Sequence, residues 1–104
     1  MHGRVARYSY TGDADEIGRQ AEEGLLPIFQ SQPGFKAYSV VQVNGDIISF
    51  SAWDSADAAA AANTAAADWV AENLAGQIQL KESMIGEIIF STTLGVSTLS
   101  GARA

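Results

Sequence analysis

The sequence predicts an α+β domain with the element order β-α-β-β-α-β and a four-stranded antiparallel sheet. Three observations carry this. Two runs open on good helix caps, Asp13 and Ser55; the first has apolar residues at helical spacing and the second is rich in alanine. Asn44-Gly45-Asp46 stands between two strand-like runs and marks a tight hairpin, because Asn-Gly suits the positive φ angles of a primed turn. Gln32-Pro33-Gly34-Phe35 separates the first helix from the first of those strands, since proline cannot continue a helix and glycine accepts the turn dihedrals.

Taken in order, residues 4–10 (Arg-Val-Ala-Arg-Tyr-Ser-Tyr) form a short β-prone run ended by Thr11-Gly12-Asp13. Asp13, with Glu16 three residues on, has the arrangement of a capping box. The first helix is expected over residues 14–30, with Ile17, Ala21, Leu25, Ile28 and Phe29 as one apolar stripe. Pro27 lies inside it and predicts a kink or a break. The second strand is expected at residues 35–43 and the third at 47–53. Ser55 caps a second helix over about 56–74, where alanine gives high intrinsic helix propensity and Gly76 follows as a stop. A last strand is expected at 82–90, and residues 91–104 read as a loose tail or an arm that docks on a partner. The whole is one domain, residues 1–104 with a core of about 4–90, in the split-βαβ or ferredoxin-like arrangement.

Two helices cover one face of such a sheet, so the other face of a soluble monomer would be polar. Here the alternation puts apolar groups on both. Ile47 and Trp53 oppose Ile48, Phe50 and Ala52; Phe35, Ala37, Val41 and Val43 oppose Tyr38 and Val40; Met84, Ile88 and Phe90 oppose Ile85 and Ile89. A second copy of the same sheet is the simplest cover, which predicts a homodimer through the sheet face. Burial of several such side chains at about 1.5–3 kcal/mol each would hold it.

Composition narrows the chemistry. Hydrophobic residues are 47% and charged residues 17%, which excludes disorder and leaves little charge to cover a monomer. The net charge of −6, with six scattered Lys and Arg, argues against nucleic acid and anionic membranes. The chain has no cysteine, so thiolate nucleophiles, disulfides and Cys-ligated metals are excluded; its one histidine, His2, is near the start and a poor metal ligand. No Gly-x-Gly-x-x-Gly or Gly-Lys-Ser pattern offers a phosphate cradle. No cofactor and no metal are expected. The alanine-rich run is interrupted by Asp57, Asn63 and Thr64 and is not a membrane span. The start lacks the apolar stretch of a signal peptide, and cytoplasmic residence is the expectation.

Gln32-Pro33-Gly34-Phe35, Trp53-Asp54-Ser55 and Gly86-Glu87-Ile88 resemble the dimeric α/β-barrel proteins, within them the antibiotic-biosynthesis-monooxygenase-like group. The stretch Asn63-Thr64-Ala65-Ala66-Ala67-Asp68-Trp69-Val70 is similar to a largely uncharacterised branch of it. The resemblance spans about residues 5–90. It implies a dimeric α/β barrel and a group that includes cofactor-free quinone-forming oxygenases, haem-degrading enzymes and proteins without known activity. Haem-degrading members carry an iron-binding histidine on the second helix; this chain has none there.

The candidate ligand-binding residues are Tyr8, Phe29, Trp53, Asn63 and Trp69; no catalytic residue is assigned. By resemblance to the oxygenases, Asn63 would orient a phenolic oxygen and Trp69 would line the pocket. Their six-residue separation puts them about 120° apart around the helix, however, and the preferred reading makes Asn63 a solvent or local hydrogen-bonding residue and Trp69 a core plug. Tyr8 and Tyr10 share a face of the first strand, where they either donate to a ligand or pack with the hydroxyl at the rim. Arg7 lies on the opposite face and, if buried, needs an acid such as Glu87. An arginine in the pocket could hold an anionic phenolate, though nothing in the sequence places one there. Trp53 packs at the end of the sheet or walls the site. The alanine-rich helix either approaches the sheet closely or leaves an apolar cleft beside Leu25, Phe29 and Trp69. The expected function is a homodimer that binds a small apolar or aromatic molecule between sheet and helices. The alternative is a cofactor-independent monooxygenase acting on an activated phenol or quinol, and a third reading is a structural module.

Overall fold

The computed structural model describes residues 1–98. Its elements are β1 (His2–Tyr10), α1 (Ala14–Ser31), β2 (Phe35–Val43), β3 (Asp46–Trp53), α2 (Ala56–Asn73) and β4 (Ile78–Glu87), followed by a small hairpin of β5 (Phe90–Ser91) and β6 (Val96–Ser97). The first six form the ferredoxin-like α+β fold, with a four-stranded sheet in the order β2-β3-β1-β4 and every neighbouring pair antiparallel.

The caps show how local chemistry sets the boundaries. Asp13 accepts a hydrogen bond from the Asp15 amide at 2.9 Å, while Glu16 turns to Arg19 and so does not complete the reciprocal capping box. The expected interruption at Pro27 is absent: α1 runs unbroken to Ser31, and Pro27 sits on its exposed side, where water can satisfy the carbonyl left without its helical partner. Ser55 caps α2 by accepting from the Ala58 amide at 3.1 Å. Asn44 and Gly45 both have positive φ, as the primed hairpin turn requires.

The Gln-Pro-Gly-Phe segment closes the end of the sheet. Gly34 has φ +89°, its carbonyl accepts from the Asp54 amide at 2.9 Å, and a Cβ there would lie 2.3 Å from Asp54 Oδ1. Both the dihedral and the space demand glycine.

Register corrects two expectations, the faces of the second strand and the bounds of the last. A bulge at Lys36 lets both Phe35 and Tyr38 face the helices, although strict alternation opposes them. A second bulge at Lys81 similarly aligns Leu80 with Tyr8 and Ile78 with Tyr10. Finally, β4 begins at Ile78, four residues before its expected start, and ends at Glu87, so Ile88 to Phe90 lie beyond the four-stranded sheet. The strand starts early because α2 stops at Leu74 and Gly76, at φ +81°, turns the chain straight back into the sheet. Part of the expected loose tail is instead the β5–β6 hairpin; residues 99–104 lie outside the described residues.

The core lies between the helices and one sheet face. Leu25 and Phe29 of α1, Trp53 of β3 and Ala59, Ala62 and Ala66 of α2 form its main cluster, with Phe35, Tyr38 and Trp69 against it. Phe29 meets Tyr38 and Trp53 edge-on at centroid distances of 4.9 and 5.3 Å, and Trp53 donates its indole N–H to Ser51 Oγ at 2.9 Å. A second cluster joins Ile17, Ile47 and Leu74. The outer face carries Val5, Val41, Ile48, Phe50 and Met84, with Val41 and Met84 more than half exposed. There Arg7 pairs with Asp46 at 2.7 Å, not with Glu87, and Lys81 joins the same carboxylate at 3.2 Å. The two cations hold the Asp46 carboxyl below its ordinary range, Arg7 contributing most.

Candidate functional site

A cleft of about 260 Å³ opens between α2 and the β1–β4 side of the sheet. Its apolar wall comes from Ala67, Val70, Ala71 and Ala75 above and from Ile78 and Leu80 below. Alanine at Ala67 and Ala71 keeps the α2 wall short, and β4 below it is an edge strand, so the cleft opens at the rim of the sheet. The polar lining is Arg4, Tyr8 and Asn63.

Arg4 organises this polar end. It is only 2% exposed, on the helix-facing side of β1, where its register partners are Ser51 and Ile85. Its Nε donates to Asn63 Oδ1 at 2.7 Å and its Nη2 to the Tyr8 hydroxyl at 3.3 Å, while Nη1 is buried with no partner among the described residues. Asn63 and Tyr8 come together through this guanidinium, although 55 residues apart in sequence.

The other three expected ligand residues lie elsewhere. Phe29 and Trp53 are both fully buried in the main core cluster and line no part of this cleft. Trp69 turns toward α1 and packs so tightly on Gly24 that a Cβ at that glycine would stand 2.7 Å from the indole. The angular separation of Asn63 and Trp69 on one helix is the reason they part. The residue the sequence reasoning missed is Arg4. The signal was present: alternation places Arg4, Ala6, Tyr8 and Tyr10 on one face, opposite Arg7.

Two other recesses lack this convergence. One of about 350 Å³ between α1 and β2 is lined by Asp15, Glu22, Tyr38, Val40 and Gln42, its two carboxylates exposed. Burial pushes the Tyr38 hydroxyl up to about 12, so it stays neutral there. Another, of about 520 Å³, is bounded by Ser9 to Thr11 and Gly76 to Gln79 at the strand ends. Among the described residues no group of three or more His, Cys, Asp or Glu could hold a metal ion, and no helix is long and apolar enough to cross a membrane.

Solved structures share this architecture. A candidate antibiotic biosynthesis monooxygenase from Chloroflexus aurantiacus is 23% identical, with 90% of this chain and 98% of that one covered and a TM-score of 0.67. SnoaB of Streptomyces nogalater, a cofactor-independent oxygenase, is 17% identical, with 88% and 95% covered and a TM-score of 0.69. The chain has the fold of the antibiotic-biosynthesis-monooxygenase-like proteins. A further candidate monooxygenase of this kind, from Nitrosomonas europaea, is 15% identical, with 86% and 90% covered and a TM-score of 0.67. No family model matches the sequence, and no curated protein matches it.

Proposed function

We propose that this protein is a homodimer that binds a small aromatic molecule in the cleft between α2 and the sheet. The observation that carries the reading is the cleft itself: an apolar wall of alanine, valine, isoleucine and leucine with three polar groups converging at one end. Such a combination suits a ring that carries one polar substituent. At about 260 Å³ the space lies just below the roughly 300–1,000 Å³ of ordinary small-molecule sites, which suits a small ligand. The dimer is supported by the apolar outer face, where Arg7 and Lys81 pair with Asp46 and Val41, Ile48, Phe50 and Met84 remain to pack. Cytoplasmic residence goes with this reading.

The second reading is a cofactor-independent monooxygenase acting on an activated phenol or quinol, favoured by the likeness to SnoaB. In that chemistry the substrate supplies the electrons: a phenol and O2 give a quinone and water, one oxygen atom entering the ring and the other leaving as water. The protein need only bind, desolvate and help ionise the substrate. Here Arg4 would stabilise a phenolate by its charge, with Tyr8 and Asn63 positioning the oxygen.

The test is a two-dimensional NMR screen of small aromatics against the full chain, with oxygen uptake followed for the phenols and quinols. Binding that shifts the resonances of Arg4, Asn63 and Ala71 without oxygen uptake supports the first reading; uptake supports the second. Shifts confined to other parts of the molecule would sink both. Light scattering on Met84→Lys, which puts a charge on the outer face, tests the dimer: it should yield monomer or aggregate, and an intact dimer would refute the sheet-face interface.

A further inference from the structure

We infer that the ligand of this cleft carries a carboxylate, read by the free donors of Arg4, Asn63 and Tyr8. The inference rests on the cleft being the ligand site and adds the chemical class of its occupant.

The first observation is an unpaired charge. Arg7, Arg19 and Lys81, with side chains 42–52% exposed, each pair with a carboxylate. Arg4, at 2% exposure, pairs with none among the described residues, in a chain with twelve acidic side chains. A guanidinium keeps its charge in proteins, and a buried charge without a counter-ion is costly. Among the described residues three buried side-chain atoms lack partners, His2 Nδ1, Arg4 Nη1 and Gln32 Oε1, and of these residues Arg4 lines the cleft.

The second observation is the direction of the hydrogen bonds. Asn63 accepts from Arg4 through Oδ1, and Tyr8 accepts from Arg4 through its hydroxyl oxygen. Since Arg4 can only donate, it fixes the Asn63 amide with its oxygen toward the guanidinium. The free donors are Arg4 Nη1, the Asn63 Nδ2 amide and the Tyr8 hydroxyl proton, none of which donates to another described residue. An ionised carboxylate only accepts, and its two oxygens match the fork of a guanidinium.

This argues against a neutral phenol as the resident. Its hydroxyl brings no negative charge to the buried guanidinium, and in water it ionises only near about pH 10. A carboxylic acid, at about pH 4, arrives already ionised.

The experiment titrates the full chain with benzoate, benzamide and phenol by NMR, following Arg4, Asn63 and Ala71, and repeats this on Arg4→Met and Tyr8→Phe. Benzoate should bind at least about tenfold more tightly than either neutral probe, and Arg4→Met should abolish that preference. Tyr8→Phe should weaken benzoate a few-fold and benzamide less, because the bond to a carboxylate is charge-assisted, which keeps a test available if Arg4→Met does not fold. Equal binding of benzoate and benzamide, or a preference that survives Arg4→Met, overturns the carboxylate and leaves the aromatic site standing. No shift in the cleft with any probe overturns both.

Discussion

On one flank of α2, Ala59, Ala62 and Ala66 are fully buried in a cluster with Phe29 and Trp53; on the other, Ala67 and Ala71, with Ala75 just past the helix end, wall a cleft. The residue type is the same and the outcome opposite. On the packed flank, large rings from α1, β2 and β3 reach into the space that alanine leaves. On the open flank the facing residues are Arg4 and Tyr8, whose polar ends engage each other and Asn63, and the strand beyond is an edge. Small side chains permit close approach; what stands opposite decides whether it happens.

The comparison can be broken most forcefully from the packed side. Trp53→Ala should cost about 3–5 kcal/mol, read as a lower denaturation midpoint, because the indole is fully buried and rings on two elements lean on it. A loss below about 1 kcal/mol would mean the packed flank is not the seat of stability.

The same substitution on both flanks is the sharper test. Ala62→Leu should destabilise by about 1–3 kcal/mol through overpacking. Ala67→Leu, at an exposed position in the cleft wall, should change stability by no more than about 0.5 kcal/mol yet block the ligand. Similar losses at both would erase the distinction.

Gly24→Ala probes the seam between the helices. Alanine gains about 1 kcal/mol of helix propensity, but its methyl would sit 2.7 Å from the Trp69 indole. We expect overpacking to win, giving a small net loss and a shift in tryptophan emission. A net gain would show that the indole has room to move.

The smallest effect lies on the outer face. Asp46 has its carboxyl held low by Arg7 and Lys81, so its contribution to stability is present above the ordinary carboxylate range and is lost as pH falls through its depressed folded value. Melting curves from neutral to acid pH should therefore be flatter for Asp46→Asn than for the parent chain; identical slopes would show the pairs to be without consequence for stability.

Much of the fold was legible because its signals are local. Asp13 and Ser55 cap the helices, Asn44-Gly45 turns the hairpin, and β2 occupies the residues its alternation marks. The site was half legible. Tyr8 and Asn63 were visible as polar residues on apolar elements, but the arginine that joins them was read past, although it shares the face of Tyr8. Phe29 and Trp53 show the converse limit, since an aromatic ring beside a small-residue helix looks alike in a sequence whether it fills the space or borders it.

The sequence by itself determined the element order, the caps and the turns, because each depends on dihedral preferences and hydrogen bonds within a few residues. Only the tertiary structure decided which face Phe35 and Tyr38 share, which alanines pack, and that Arg4 meets Asn63 across 59 positions of chain. A bulge shifts every later side chain to the other face, and a buried charge finds its neighbours through the sheet rather than along the chain.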